Sequence, residues 1–92
     1  MILRSLTNGA FSGANTLTCP SRIVGALAIT ADGTNAAVVT IQRNDANGKK
    51  VFDYQTIFPN FVAGPIATEG AETIYVSVSG TGASAQIYEW VE

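Results

Sequence analysis

Seven carboxylates, five basic side chains, one cysteine and no histidine make up the charged and thiol chemistry of this 92-residue chain. The densest polar run, "IQRNDANGKKVF" at 41–52, invites a test as a calcium loop. Setting Gly48 on the invariant glycine of a helical calcium loop places Asn47 and Asp45 at ligand positions. It also puts Arg43 at the first ligand position and Tyr54 where the bidentate carboxylate is needed, so a cation opposes the ion and the chelator is missing. Asn47-Gly48 between two alternating segments reads instead as a hairpin turn, with both residues suited to the positive φ of a type I′ turn. Acid–base chemistry needs carboxylates brought together, and only Asp53 and Glu89 fall inside expected strands. A solvated strand face accounts for both. A hydrolase triad lacks its histidine base, and zinc lacks both histidine and a cysteine cluster. "GTG" at 80–82 has no helix after it to hold a phosphate. Cys19, in "TLTCPSR", has no basic cluster to activate it and reads as a small buried apolar residue at a strand end. The expectation is a chain that is not an enzyme, with no cofactor and no metal.

The elements that position these residues are strands. "NAAVVTIQ" at 35–42 puts Ala37, Val39 and Ile41 on one face, and "TIYVSVSG" at 73–80 does the same with Ile74, Val76 and Val78. "SAQIYEWV" at 84–91 alternates Ile87, Glu89 and Val91 against Gln86, Tyr88 and Trp90, with neither set cleanly polar. Segments 22–30 and 50–58 complete the core set, and shorter candidates lie at 2–6, 15–19 and 61–67. Turn signals separate them: "TNG" at 7–9, "ADGTN" at 31–35, "ANG" at 46–48, "AGP" at 63–65, "EGAE" at 69–72 and "GTGAS" at 80–84. About seven to eight short strands in one domain must form two packed sheets or a small barrel, because a single twisted sheet of that size would leave an apolar face wet. The predicted fold is therefore an all-β, two-sheet antiparallel sandwich, jelly-roll or Ig-like, spanning 1–92, with 1–10 either an N-terminal arm or the first strand.

Charged residues are 13% of the chain, about half the usual share, while apolar residues are 47%. A net charge of −2, with the basic residues scattered, supplies no stripe that could neutralise phosphates. No nucleic-acid partner is expected. The apolar run "IVGALAI" at 23–29 is far too short to span a bilayer, and "MILRSLTNG" is too short an apolar run for a secretory signal. A weakly charged, apolar-rich surface favours life in an assembly. Aromatic placement points the same way. Tyr75, Tyr88 and Trp90 lie on the less apolar parity of the last two strands, and Phe58 and Phe61 flank "PN" in an expected loop. If Phe52, Tyr54 and Phe58 face inward, Tyr88 and Trp90 become the exposed anchors of a contact patch.

From Asp32 to Trp90, "DGTNAAVVTIQRNDANGKKVFDYQTIF" followed by "GPIATEGAETIYVSVSGTGASAQIYEW" resembles the small β-sandwich structural proteins of tailed bacteriophage virions. "YVSVSGTGAS" is the most specific part. The resemblance implies a capsid decoration or cement protein, with tail, neck or fibre components as the neighbouring class. It brings no catalytic residues with it. On that footing the expected partners are the phage major capsid protein and further copies of the chain, a trimer suiting a local three-fold capsid site. The expected location is the virion surface after synthesis in the host cytoplasm. The contact residues expected are Arg4, Phe58, Phe61, Tyr75, Tyr88 and Trp90. A carbohydrate-binding module, with tyrosine and tryptophan stacked on sugar rings, is the alternative of a different class.

Overall fold

A computed structural model describes residues 2–92. Among the described residues nine strands form: β1 (Ile2–Ser5), β2 (Gly13–Thr18), β3 (Ile23–Thr30), β4 (Ala37–Arg43), β5 (Lys50–Thr56), β6 (Phe61–Ala63), β7 (Ile66–Ala67), β8 (Thr73–Ser79) and β9 (Ser84–Val91). The expected segment 61–67 is present as two pieces, interrupted at the cis Gly64–Pro65 peptide, and both pieces pair with β3. One sheet, here sheet A, runs β1-β9-β3-β6 with β7 also on β3; the other, sheet B, runs β2-β8-β4-β5.

The pairing is nested. β4 turns back on β5, β3 lies against β6 and β7, β2 against β8, and β1 against β9, all antiparallel. A long two-stranded ribbon with its tip at the β4–β5 hairpin has thus been wound so that β9 also meets β3 and β8 also meets β4. That is the connectivity of a jelly roll, which decides between the two sandwich types the sequence left open. Ile2–Ser5 is its first strand, while Met1 lies outside the described residues.

The alternation of apolar residues sets which face points inward. Ala37, Val39 and Ile41 of β4 and Ile74, Val76 and Val78 of β8 are buried against Val24, Leu27, Ile29, Ala85 and Ile87 of sheet A. Burying a branched aliphatic side chain of this kind is worth about 1.5–3 kcal/mol each, so this row of residues holds the two sheets together. Cys19, fully buried after β2, belongs to the same core. Burial pushes its thiol pKa up, against the opposing pull of the Ser21 hydroxyl.

The β4–β5 hairpin forms, but not through a type I′ turn. The left-handed residue is Asn44, at φ 69°, and neither Asn47 nor Gly48 has positive φ. The connection takes residues 44–49 and is tied by its own polar groups. The Gly48 N–H donates to the Asp45 carbonyl at 3.0 Å, the Asn47 N–H to Asp45 Oδ1 at 2.9 Å, and Gln42 Nε2 to the Ala46 and Gly48 carbonyls. Gly48 is needed for space: a Cβ there would overlap the Arg43 carbonyl oxygen.

Candidate functional site

Glu89 departs most from the sequence expectation. Its neighbours Ile87 and Val91 share its parity, and β9 is a central strand of sheet A, so the carboxylate points between the sheets and is only 1% exposed. It is not part of a solvated strand face. Arg4 stands directly opposite on β1. Arg4 Nε donates to Glu89 Oε2 at 2.8 Å, Arg4 Nη2 donates to the same oxygen, and the Ser21 N–H donates to Oε1 at 3.2 Å. Burial alone would raise the Glu89 pKa. The Arg4 and Ser21 hydrogen bonds and the Arg4 charge overcome that and hold it below its ordinary 4.5. Arg4, expected as a contact residue, is therefore engaged within the chain, although its side chain is 59% exposed. Asp53 is exposed on β5, in an ion pair with Lys50 at 3.6 Å, and so far from Glu89 in the fold that the two form no carboxylate pair.

The five remaining expected contact residues fall into four places. Phe61 does not sit in a loop with Phe58. It opens β6 opposite Ile29, faces inward, and stacks on Tyr54 with ring centroids 4.7 Å apart, while Phe52 lies 6.1 Å beyond Tyr54. These three rings close the sandwich along the β5 and β6 edges. Phe58 is not part of that inward row; it is 59% exposed in the 57–60 connection beside exposed Ile57. Tyr75 lies on the outer face of sheet B, opposite Thr16 and Gln42. Tyr88 and Trp90 share the outer face of sheet A. Tyr75 and the Tyr88/Trp90 pair thus belong to opposite sides of the protein.

The two outer faces differ in chemistry. Sheet B presents Thr16, Thr18, Thr40, Gln42, Gln55, Ser77 and Ser79, with Asp53 among them, and its apolar members are Ala14, Val38 and Tyr75. The outer face of sheet A is assembled in rows across the strands. Register places Leu3 beside Trp90 and Ile23 beside Ala67 at one end, then Ser5 beside Tyr88 and Ala26, then Gln86 beside Ala28 and Val62, and last Ser84 beside Thr30. No residue of these rows carries a formal charge. Leu3, Ile23 and Val62 are large and exposed, Val62 at 67%.

A β-bulge hollows this face. The β3–β9 register shifts between Val24 and Ala26, which turns Gly25 outward where a side chain would otherwise stand. A Cβ on Gly25 would come within 2.5 Å of Leu3 Cδ2 and 3.1 Å of Trp90 Cβ. Beside it lies an open apolar pocket of about 310 Å³ lined by Ile23, Pro65, Ala67 and Trp90. Its side chains offer no hydrogen-bond partner to a sugar hydroxyl except the Trp90 indole N–H, so its chemistry suits an apolar side chain.

Of this surface, the sequence reading found Tyr88 and Trp90 and missed Leu3, Ile23, Val62, Pro65 and Ala67. The signal was present in "RIVGALAIT", which is apolar on both parities; a strand of that kind has a second face to cover. Comparison with protein-family models, with curated proteins and with solved structures finds no match.

Proposed function

We propose that this chain is a non-enzymatic structural protein of a tailed-phage virion, a capsid decoration or cement protein that bridges subunits of the assembled shell. The observation that carries the reading is the placement of two exposed apolar sites at opposite ends of one rigid sandwich. The Trp90 pocket lies at the Ile23 end of β3, while Ile57 and Phe58 lie in the connection clustered with the 31–36 and 80–83 loops at its Thr30 end, where Gly33 approaches Pro59 and Gly82 approaches Asp32. An eight-residue strand at about 3.3 Å per residue separates the two sites by about 25 Å. A module that touches two neighbours at once stabilises whatever arrangement holds those neighbours at that spacing. By mass action it favours the assembled lattice over free subunits.

The stretch that resembles virion sandwich proteins builds this frame. Asp32 accepts the Thr34 and Asn35 N–H groups and the Asn35 amide, which closes the turn into β4, and "YVSVSGTGAS" forms β8 and the turn into β9. Quantitative mass spectrometry of virions carrying the gene tests the proposal. Copies approaching the number of major capsid subunits support it. A handful per particle would move the protein to the tail or neck, and none would remove it from the virion.

A further inference from the structure

We infer that the outer face of sheet A is covered by the same face of a second copy of this chain, with Val62 of each copy seated in the Trp90 pocket of the other. The inference rests on taking that face as a contact surface, and it names the partner.

Three observations favour a second copy. The pocket and its knob lie on the same edge of the sheet: Ala67 is opposite Ile23 at one end of β3, and Val62 is opposite Ala28 five residues further along, about 16 Å away at about 3.3 Å per residue. A twofold axis lying in the interface, across the strands and midway between these points, exchanges the two positions. Each copy's Val62 then meets the other's pocket, and the contact is made twice. An isologous interface also brings like groups near one another, which costs most where the face is charged. The rows themselves carry no charged side chain, and the described axis sets exposed Glu92, which continues the Trp90 parity just past β9, against the Gln86–Ser84 end of the other copy and not against a second Glu92. Finally, four strand positions about 4.8 Å apart and about 26 Å long give a face of about 500 Å² per copy. Two copies bury about 1,000 Å², the lower limit of a specific interface. The pair is therefore a weak dimer, twofold in place of the trimer that the resemblance suggests. With the Trp90 pocket filled by the second copy, one of the two neighbours that each chain touches is its own partner, and the pair bridges the shell through its two Ile57–Phe58 ends, which stay free and point in opposite directions.

Sedimentation velocity across about 1–200 µM tests this, the range in which so small an interface should associate. The wild-type protein should pass from monomer to dimer. Ala67→Arg in the pocket wall and Val62→Glu on the knob should each weaken association at least about tenfold, because each buries an unpaired charge. Both sites are exposed, so far-UV circular dichroism and melting temperature should stay at wild-type values. Thr16→Arg, on the outer face of sheet B, should dimerise as the wild type does. An equimolar mixture of V62E and A67R should dimerise again, since one mixed contact pairs the introduced carboxylate with the introduced guanidinium and the other is native. A wild-type protein monomeric throughout, a dimer indifferent to A67R, or a mixture that stays dissociated would each overturn the inference. A dimer of this kind in a protein absent from virions would leave the inference standing and remove the virion reading. A monomer abundant in virions would do the reverse.

Discussion

Replacing Arg4 by alanine removes both donors that Glu89 Oε2 accepts and leaves a carboxylate, 1% exposed, with only the Ser21 N–H. Breaking a fully buried ion pair from one side costs about 3–5 kcal/mol. Here the arginine is half in water, so part of its charge was already solvated, and about 2 kcal/mol is the working figure. An unfolding entropy of about 2.1 cal/mol/K per residue makes each kcal/mol worth about 5 °C in a domain of this length, so the melting temperature should fall by about 10 °C at pH 7. The sign of the pH dependence is the sharper test. In the wild type the Glu89 pKa is depressed, so its contribution is present above 4.5, the unfolded value, and is lost as pH falls through the folded one. Without Arg4, burial dominates and the folded pKa rises above 4.5; the charged form then destabilises the fold at neutral pH, and protonation relieves it. The stability gap between wild type and Arg4→Ala should therefore be widest at pH 7 and shrink as pH falls toward 4. Asp32 and Glu69, also depressed by their hydrogen bonds to Asn35 and Lys49, act equally in both proteins and cancel in the difference. The nearby Cys19 thiol, its pKa raised by burial, stays neutral throughout. Urea unfolding at half-unit pH steps measures the gap, and the corresponding gap between Glu89→Gln and the Arg4→Ala/Glu89→Gln double variant should not depend on pH. A gap that stays constant or widens on acidification would refute the account of Glu89 as a carboxylate kept charged by Arg4.

Gly48→Ala should destabilise the fold by about 1–3 kcal/mol, because the added methyl overlaps the Arg43 carbonyl and the 44–49 connection must shift; thermal unfolding measures it. Tyr54→Leu keeps much of the apolar contact but removes the ring stacked on Phe61, and should cost about 1 kcal/mol by urea titration. Cys19, with 0% exposure, should react with a thiol reagent at a rate set by unfolding, so that native protein is protected and protein in denaturant reacts at once.

Much of the fold was legible because burial in a sandwich imposes period 2. The inward parities of β4 and β8 and the places of most strands follow from that alone. Glu89 shows where parity needs topology as well. Its register with Ile87 and Val91 was visible, but that β9 is central and that Arg4 faces it depend on β1 closing the sheet from 85 residues away in sequence. Phe61 was misplaced because Pro59-Asn60 reads as a loop, whereas three residues suffice to add β6 to the β3 edge. Gly48 was read through its tolerance of positive φ, when the constraint is the close approach of Arg43. The pocket beside Trp90 exists only because a bulge turns Gly25 outward. A one-residue register shift of that kind leaves no mark in the alternation other than a glycine.

The chain has one tryptophan, so its fluorescence reports the outer face of sheet A alone. The measurement that bears most directly on that face as the working contact surface is acrylamide quenching of Trp90, in dilute free protein and in assembled particles. The account predicts an accessible indole in the dilute protein, and in the particle a blue-shifted emission with a quenching constant several-fold lower. Equal quenching in both states would mean that the face stays open to solvent in the assembly, and would contradict the account.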